Sequence, residues 1–222
     1  KHPAVFARLA KRIEISDSQF RIGLNRPADD QFLVGVQIKQ SGGSVTRCTF
    51  SGPRATGVEW SETSSSVVVN DCSFDSLDRG LVAISCQDLS IGGPNQTQFR
   101  RCNSALELVG CGGVIQNCDI DGNWSNAARG ILVRGMNAAN SPLRVEACNI
   151  AGGRAPFTAS QAHVYATALI VDGCSDMGIK LLDNTQLRME NSKVLRCEAI
   201  GILLERSRAA LERCVISNNG TA

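Results

Sequence analysis

Val45-Thr46-Arg47-Cys48-Thr49-Phe50 is the stretch that decides the fold, because it keeps returning. It comes back as Val69-Asn70-Asp71-Cys72-Ser73-Phe74, Ile115-Gln116-Asn117-Cys118-Asp119-Ile120, Val145-Glu146-Ala147-Cys148-Asn149-Ile150 and Leu211-Glu212-Arg213-Cys214-Val215-Ile216. A second apolar strand type starts at Gly57-Val58, Gly80-Leu81, Gly130-Ile131, Gly178-Ile179 and Gly201-Ile202. Short strands recurring about every 23 to 25 residues mark a coiled solenoid, in which each repeat buries its apolar face against the next.

Six of the ten cysteines (Cys48, Cys72, Cys102, Cys118, Cys148 and Cys214) read as one column in the first strand type, with Ser192 taking that place in one repeat. In most copies an apolar residue follows two positions later, and period two puts both on the interior face. Cys86 and Cys111 form a second column. Equivalent cysteines in neighbouring turns have parallel Cβ directions, which hold the sulfurs away from disulfide geometry. No Cys-x-x-Cys occurs, and two histidines are too few for the common zinc spacings. The cysteines are read as stacked small hydrophobes, and neither a cofactor nor a metal is called for. Free thiols in this number point to a reducing, cytoplasmic compartment.

Working outward, residues 1–42 are read as irregular N-terminal rungs or a cap, with a helical turn at Phe6–Ala10, and residues 43–222 as the regular coil. Rungs are laid out as Val45/Val58, Val68/Leu81, Phe99/Leu106, Val114/Ile131, Leu143/Val164, Leu169/Ile179 and Leu187/Ile202, with Leu211 opening the eighth. Asn70, Asn117, Asn149, Gly122 and Gly152 are read as corner residues. The chain begins at Lys1 and stops where the pattern would enter another strand, so it is read as a piece of a larger protein with flanking domains. A net charge of +2 gives no reason to expect nucleic acid as a partner. No apolar run is long enough to span a membrane, and no signal peptide is visible.

These repeats resemble the right-handed, single-stranded parallel β-helix of the pectate-lyase-like superfamily, over about residues 43–222. The resemblance implies an all-β solenoid of seven to eight regular rungs with strands in three parallel sheets. That superfamily includes polysaccharide lyases, glycoside hydrolases, epimerases and tailspikes, alongside modules without catalysis. Its catalytic signatures do not carry over. Asp75 and Asp121 match in position but lie two rungs apart, with Ser104 read between them, which is no calcium cage. The single Asp-Asp is Asp29-Asp30, and neither Gly-His-Gly nor Asp-Pro-His-Asp occurs. Glu59 and Glu107 face outward two rungs apart, with Val82 between. Val82, Leu132 and Leu203 form an outward apolar stripe read as covered by another segment.

Interruptions of the repeat are where binding is expected. Residues 121–129 and 151–163 read as two long loops stacked on one edge, gathering Asp121, Trp124, Arg129, Arg154, Phe157 and His163 as candidate binding residues. An aromatic beside two arginines suits a sugar acid, a phosphate or an acidic protein segment. The expected function is a non-enzymatic module giving a rigid surface to a polysaccharide or protein partner. The alternatives are a polysaccharide lyase or hydrolase and a tailspike-like adhesin.

Overall fold

The computed structural model describes residues 3–23, 33–123, 125, 128–135 and 142–220. Within them the chain winds as a parallel β-helix with three faces per turn. Face 1 stacks the glycine-led strands, with Val5, Val36, Val58, Leu81, Leu106, Ile131, Phe157, Ile179 and Ile202 at one register position. Face 2 stacks Ile15, Val45, Val69, Ile91, Ile115, Val145, Ala166, Met189 and Leu211. Face 3 stacks Phe20, Phe50, Phe74, Phe99, Ile120, Ile150, Val171, Val194 and Ile216, and forms a nine-stranded sheet. Strands Ala55–Asn70 and Arg79–Gly92 run through the corner between faces 1 and 2 and join those faces into one sheet.

The Cys-containing stretch that set the repeat is two strands, not one. Gly43–Thr46 belongs to face 2 and Thr49–Ser51 to face 3, and Arg47 between them sits at φ 51°. Asp71, Asn117, Ala147, Asn191 and Arg213 take the same left-handed conformation at the same corner. The bend therefore falls on the residue before the cysteine, whatever its type. Of the asparagines expected at corners, Asn117 has positive φ, whereas Asn70 and Asn149 do not.

The chemistry of the next residue explains why it is Cys, Ser or Thr in every turn but the one where Leu169 follows Ala168. The carbonyl two residues back already accepts a main-chain N–H from the neighbouring turn, as Thr46 does from Asp17 and Asn70 from Arg47 at 3.1 Å, and an inward S–H or O–H reaches its second lone pair. Cys48 Sγ lies 3.2 Å from the Thr46 carbonyl, Cys72 Sγ 3.2 Å from that of Asn70 and Cys148 Sγ 3.4 Å from that of Glu146. Ser192 Oγ donates to the Glu190 carbonyl at 2.7 Å. The same device recurs between faces 1 and 2, where Ser41 Oγ donates to the Lys39 carbonyl at 2.9 Å and Cys111 Sγ lies 3.4 Å from that of Val109.

Two rung assignments change. Thr97 holds the cysteine position of its turn, its Oγ1 donating to the Gly92 carbonyl at 2.6 Å. Cys102 instead follows Arg101, at φ 53°, on the corner between faces 3 and 1, and Cys197 likewise follows Arg196, at φ 52°. Leu143 and Val164 are partners on face 2 in consecutive turns. The face 1 strand of that turn is Phe157–Ser160, where Pro156 stands in place of the usual glycine and hides the strand signal. Residues 151–163 are thus no long loop. Near the N-terminus, Val5–Arg8 is a strand paired with Leu33–Lys39, where a helical turn was expected.

The core is a set of parallel ladders. Phe20, Phe50, Phe74 and Phe99 stack with ring centroids 4.8, 5.0 and 4.7 Å apart and planes within 8°. Trp60 is fully buried, and its indole N–H donates to the Ser41 carbonyl at 2.6 Å. Outside, arginines reach back one turn to acids: Arg47 to Asp17, Arg101 to Asp75, Arg196 to Asp172 and Arg206 to Asp183. Among the described residues no helix is long and apolar enough to cross a membrane.

Candidate ligand groove

On a β-helix the outward side chains of successive turns line up in columns, and two columns side by side wall a groove floored by main chain. One such groove, about 370 Å³, crosses strands His163–Thr167, Gln186–Glu190 and Arg208–Glu212 on face 2. His163, Gln186 and Arg208 form one wall, and Tyr165, Arg188 and Ala210 the other. Val164, Leu187 and Ala209 lie between them and complete the lining. Small Ala210 leaves the wall open opposite Arg208. The groove spans three strands, about 10 Å along the coil axis.

The walls combine an aromatic surface with hydrogen-bond donors. Tyr165 is 45% exposed. Arg188 is braced by Glu190 at 2.8 Å and Glu212 at 3.7 Å, and Arg213 braces the same two acids from the other side at 3.8 and 2.5 Å. Among the described residues Arg208 pairs with no carboxylate. A braced guanidinium, a second cation, an amide and a phenol ring can hold a polar ligand that also has an apolar face.

The residues singled out from sequence divide. Asp121 ends the face 3 strand Cys118–Gly122, and its Oδ1 accepts from the Asn123 main-chain and side-chain N–H groups at 3.0 Å. Its partner one turn back is Arg100, which stands between Asp75 and Asp121 where Ser104 was expected. Arg129 opens the next strand, its N–H donating to the Asn103 carbonyl at 2.8 Å. Arg154 caps the turn above, with its N–H on the Ala128 carbonyl at 3.2 Å and its Nε on Asp176 at 3.2 Å. These three share the corner between faces 3 and 1. Trp124 lies outside the described residues. Phe157 is in the core, between Ile131 and Ile179, out of reach of a ligand. His163 sits beyond face 1, on the groove.

Tyr165, Gln186, Arg188 and Arg208 were not singled out from sequence. Their only signal is a shared register, and pairing Val164 with the wrong turn conceals it. On face 1, Glu59, Val82, Glu107 and Leu132 do form one outward column, and Val82 and Leu132 are only 3% and 6% exposed. Gln37 donates to Glu59 at 2.7 Å, and Arg79 lies 3.9 Å from Glu107. Among the described residues, the Thr56, Ser61 and Ser104 hydroxyls on the same strands are buried without hydrogen-bond partners.

The family model for the right handed beta helix region matches residues 10–144 and again 104–222. The chain belongs to the right-handed β-helix family. Its two matches overlap and together take in the coil from residue 10 onward. No curated protein matches this β-helix. Among solved structures, tailspike protein 3 of bacteriophage CBA120 is similar to 98% of this chain and 56% of its own, with 8% identity and a TM-score of 0.27. The β-helix thus spans little more than half the length of that tailspike chain.

Proposed function

We propose that this β-helix is a carbohydrate-binding module that holds a glycan chain along the face 2 groove and acts as a rigid surface without catalysis. The observation that carries the reading is the make-up of the groove walls. The Tyr165 ring offers a surface for the apolar face of a sugar ring, and Arg188, Arg208 and Gln186 offer donors to hydroxyl or carboxylate oxygens. Side chains fixed in columns by a paired sheet lose little freedom on binding, which favours recognition on a rigid scaffold.

The test is calorimetric titration with neutral and uronate-containing oligosaccharides, using wild type, Tyr165→Ala and Arg208→Ala. Each variant is expected to weaken binding at least tenfold, with stability unchanged. The reading fails if the wild type binds neither class, or if both variants bind as it does.

A second reading, glycoside hydrolysis, draws on Glu59 and Glu107. They stand two strands apart, about 9.6 Å by strand spacing, at the upper end of the about 6.5–9.5 Å used by inverting carboxylate pairs. Release of reducing ends by the wild type, abolished in Glu107→Gln, would support it over pure binding.

A further inference from the structure

Cys86 and Cys111 stand one above the other on consecutive turns, at the corner between faces 1 and 2. The Gly112 N–H donates to the Cys86 carbonyl at 3.0 Å, and the neighbouring pair Ile84 and Val109 are register partners. Both thiols point inward, and both cysteines are free. We propose that Cys86 and Cys111 form a binding site for a soft divalent cation that accepts linear, two-sulfur coordination.

Spacing separates this site from a disulfide. Equivalent positions on adjacent parallel strands lie about 4.8 Å apart. A disulfide needs Cβ atoms about 3.5–4.5 Å apart and sulfurs at about 2.05 Å, so closing one would pull the turns together. Two metal–thiolate bonds of about 2.3 Å end to end span about 4.6 Å, close to the ladder spacing itself.

The ligand set excludes the harder metals. Among the described residues no group of three or more His, Cys, Asp or Glu side chains is gathered anywhere, so neither a tetrahedral zinc site nor an oxygen cage is available. Two thiolates alone select soft ions. The charge of the ion follows from the surroundings. Cys86 Sγ lies 3.6 Å from the Trp60 and Ile84 carbonyls, and Cys111 Sγ 3.3 and 3.4 Å from those of Ala83 and Val109. A divalent ion and two thiolates make a neutral complex, whereas a monovalent ion would leave a negative charge in the interior. In binding, each S–H bond breaks, each sulfur bonds to the ion, and two protons pass to solvent.

Access distinguishes this pair from the others in the coil. Cys111 is 9% exposed, whereas Cys48, Cys72, Cys118, Cys148, Cys174 and Cys197 are at most 1% exposed. It is flanked by Gly110, Gly112 and Gly113, which carry no side chains to shield it. A Cβ on Gly110 would meet nothing closer than Ser85 Oγ at 3.7 Å.

The experiment titrates Hg(II) into the reduced chain in a large excess of glutathione, which competes as a monothiol. One equivalent should be retained, with a thiolate-to-metal absorption band and two sulfur neighbours at about 2.3 Å by X-ray absorption. Cys111→Ser should lower retention at least tenfold, and Cys118→Ser should not. Should Cys111→Ser fail to fold, alkylation mapping of the loaded wild type decides, with Cys111 expected to be protected. Stripping of the ion by glutathione, a third ligand, or protection of other cysteines in place of Cys86 and Cys111 overturns the site.

Discussion

Replacing Phe74 tests whether the interior is a ladder in which each turn feels only its neighbours. Phe74 is fully buried, between Phe50 at 5.0 Å and Phe99 at 4.7 Å. Phe74→Ala removes a buried ring and should cost about 3–5 kcal/mol. Phe74→Leu keeps most of the volume and loses two offset stacks of about 0.5–1.5 kcal/mol each, hence about 1–3 kcal/mol. The sharper measurement is a pair of double-mutant cycles. Phe50→Leu with Phe74→Leu breaks a shared stack and should show a coupling of about 0.5–1.5 kcal/mol. Phe20→Leu with Phe74→Leu involves rings two turns apart, so the effects should add within about 0.5 kcal/mol. Urea denaturation followed by circular dichroism, with slopes compared between variants, reads both. Equal coupling in the two cycles would refute the nearest-neighbour account, since a ring two turns away has no contact to lose.

Gly80→Ala would place a Cβ 2.6 Å from the Ala105 carbonyl oxygen and 2.7 Å from the Phe99 ring, and thermal melting should show a loss of about 1–3 kcal/mol. Ala168 is exposed at φ 51°, so Ala168→Gly relieves left-handed strain and should stabilise by up to about 1 kcal/mol, measured by the same melt. The Arg196 hydrogen bond holds the Asp172 carboxyl below its usual range. Its contribution to stability is therefore present above the unfolded-state value, near 3.8, and lost as pH falls through the lower folded value. Asp172→Asn should flatten that part of the acid limb in denaturation midpoints taken from pH 7 down to pH 2, and an unchanged limb would remove the pair from the account.

The coil was legible because its strongest signal, an apolar residue two places after a small one, repeats wherever faces 2 and 3 meet. That signal carries two kinds of information that look alike in sequence. Phe50 and Phe74 are ladder residues, whereas Cys48 and Cys72 are corner residues whose thiols meet the carbonyl two residues back. Apolarity alone does not separate these roles, so Cys102 was placed on the wrong corner and Thr97 was passed over. The left-handed residue leaves no mark of its own, because Arg47, Asp71 and Ala147 all take the same bend. Register carried the rest. Once Pro156-Phe157 is seen as the counterpart of Gly130-Ile131, the supposed loop becomes a strand and His163 joins Tyr165 on another face. A groove made of side chains from three turns is invisible until the turns are aligned, whereas Asp121, Arg129 and Arg154 came together because they follow one corner.

The parallel pairing described above also governs how the chain reaches this state. Every strand bonds to the strand one turn away, as Phe50 does to Phe74 and Ile150 to Val171, so no contact in the ladder waits on a distant part of the chain. The loop that must close to add a turn is nearly the same length each time, and its entropic cost stays constant as the coil grows. Two adjacent turns are the slow step, and further turns then add onto either end as onto a growing seam. Opening runs the same way in reverse, and the latest hydrogen exchange is expected around the buried Trp60 and Phe74.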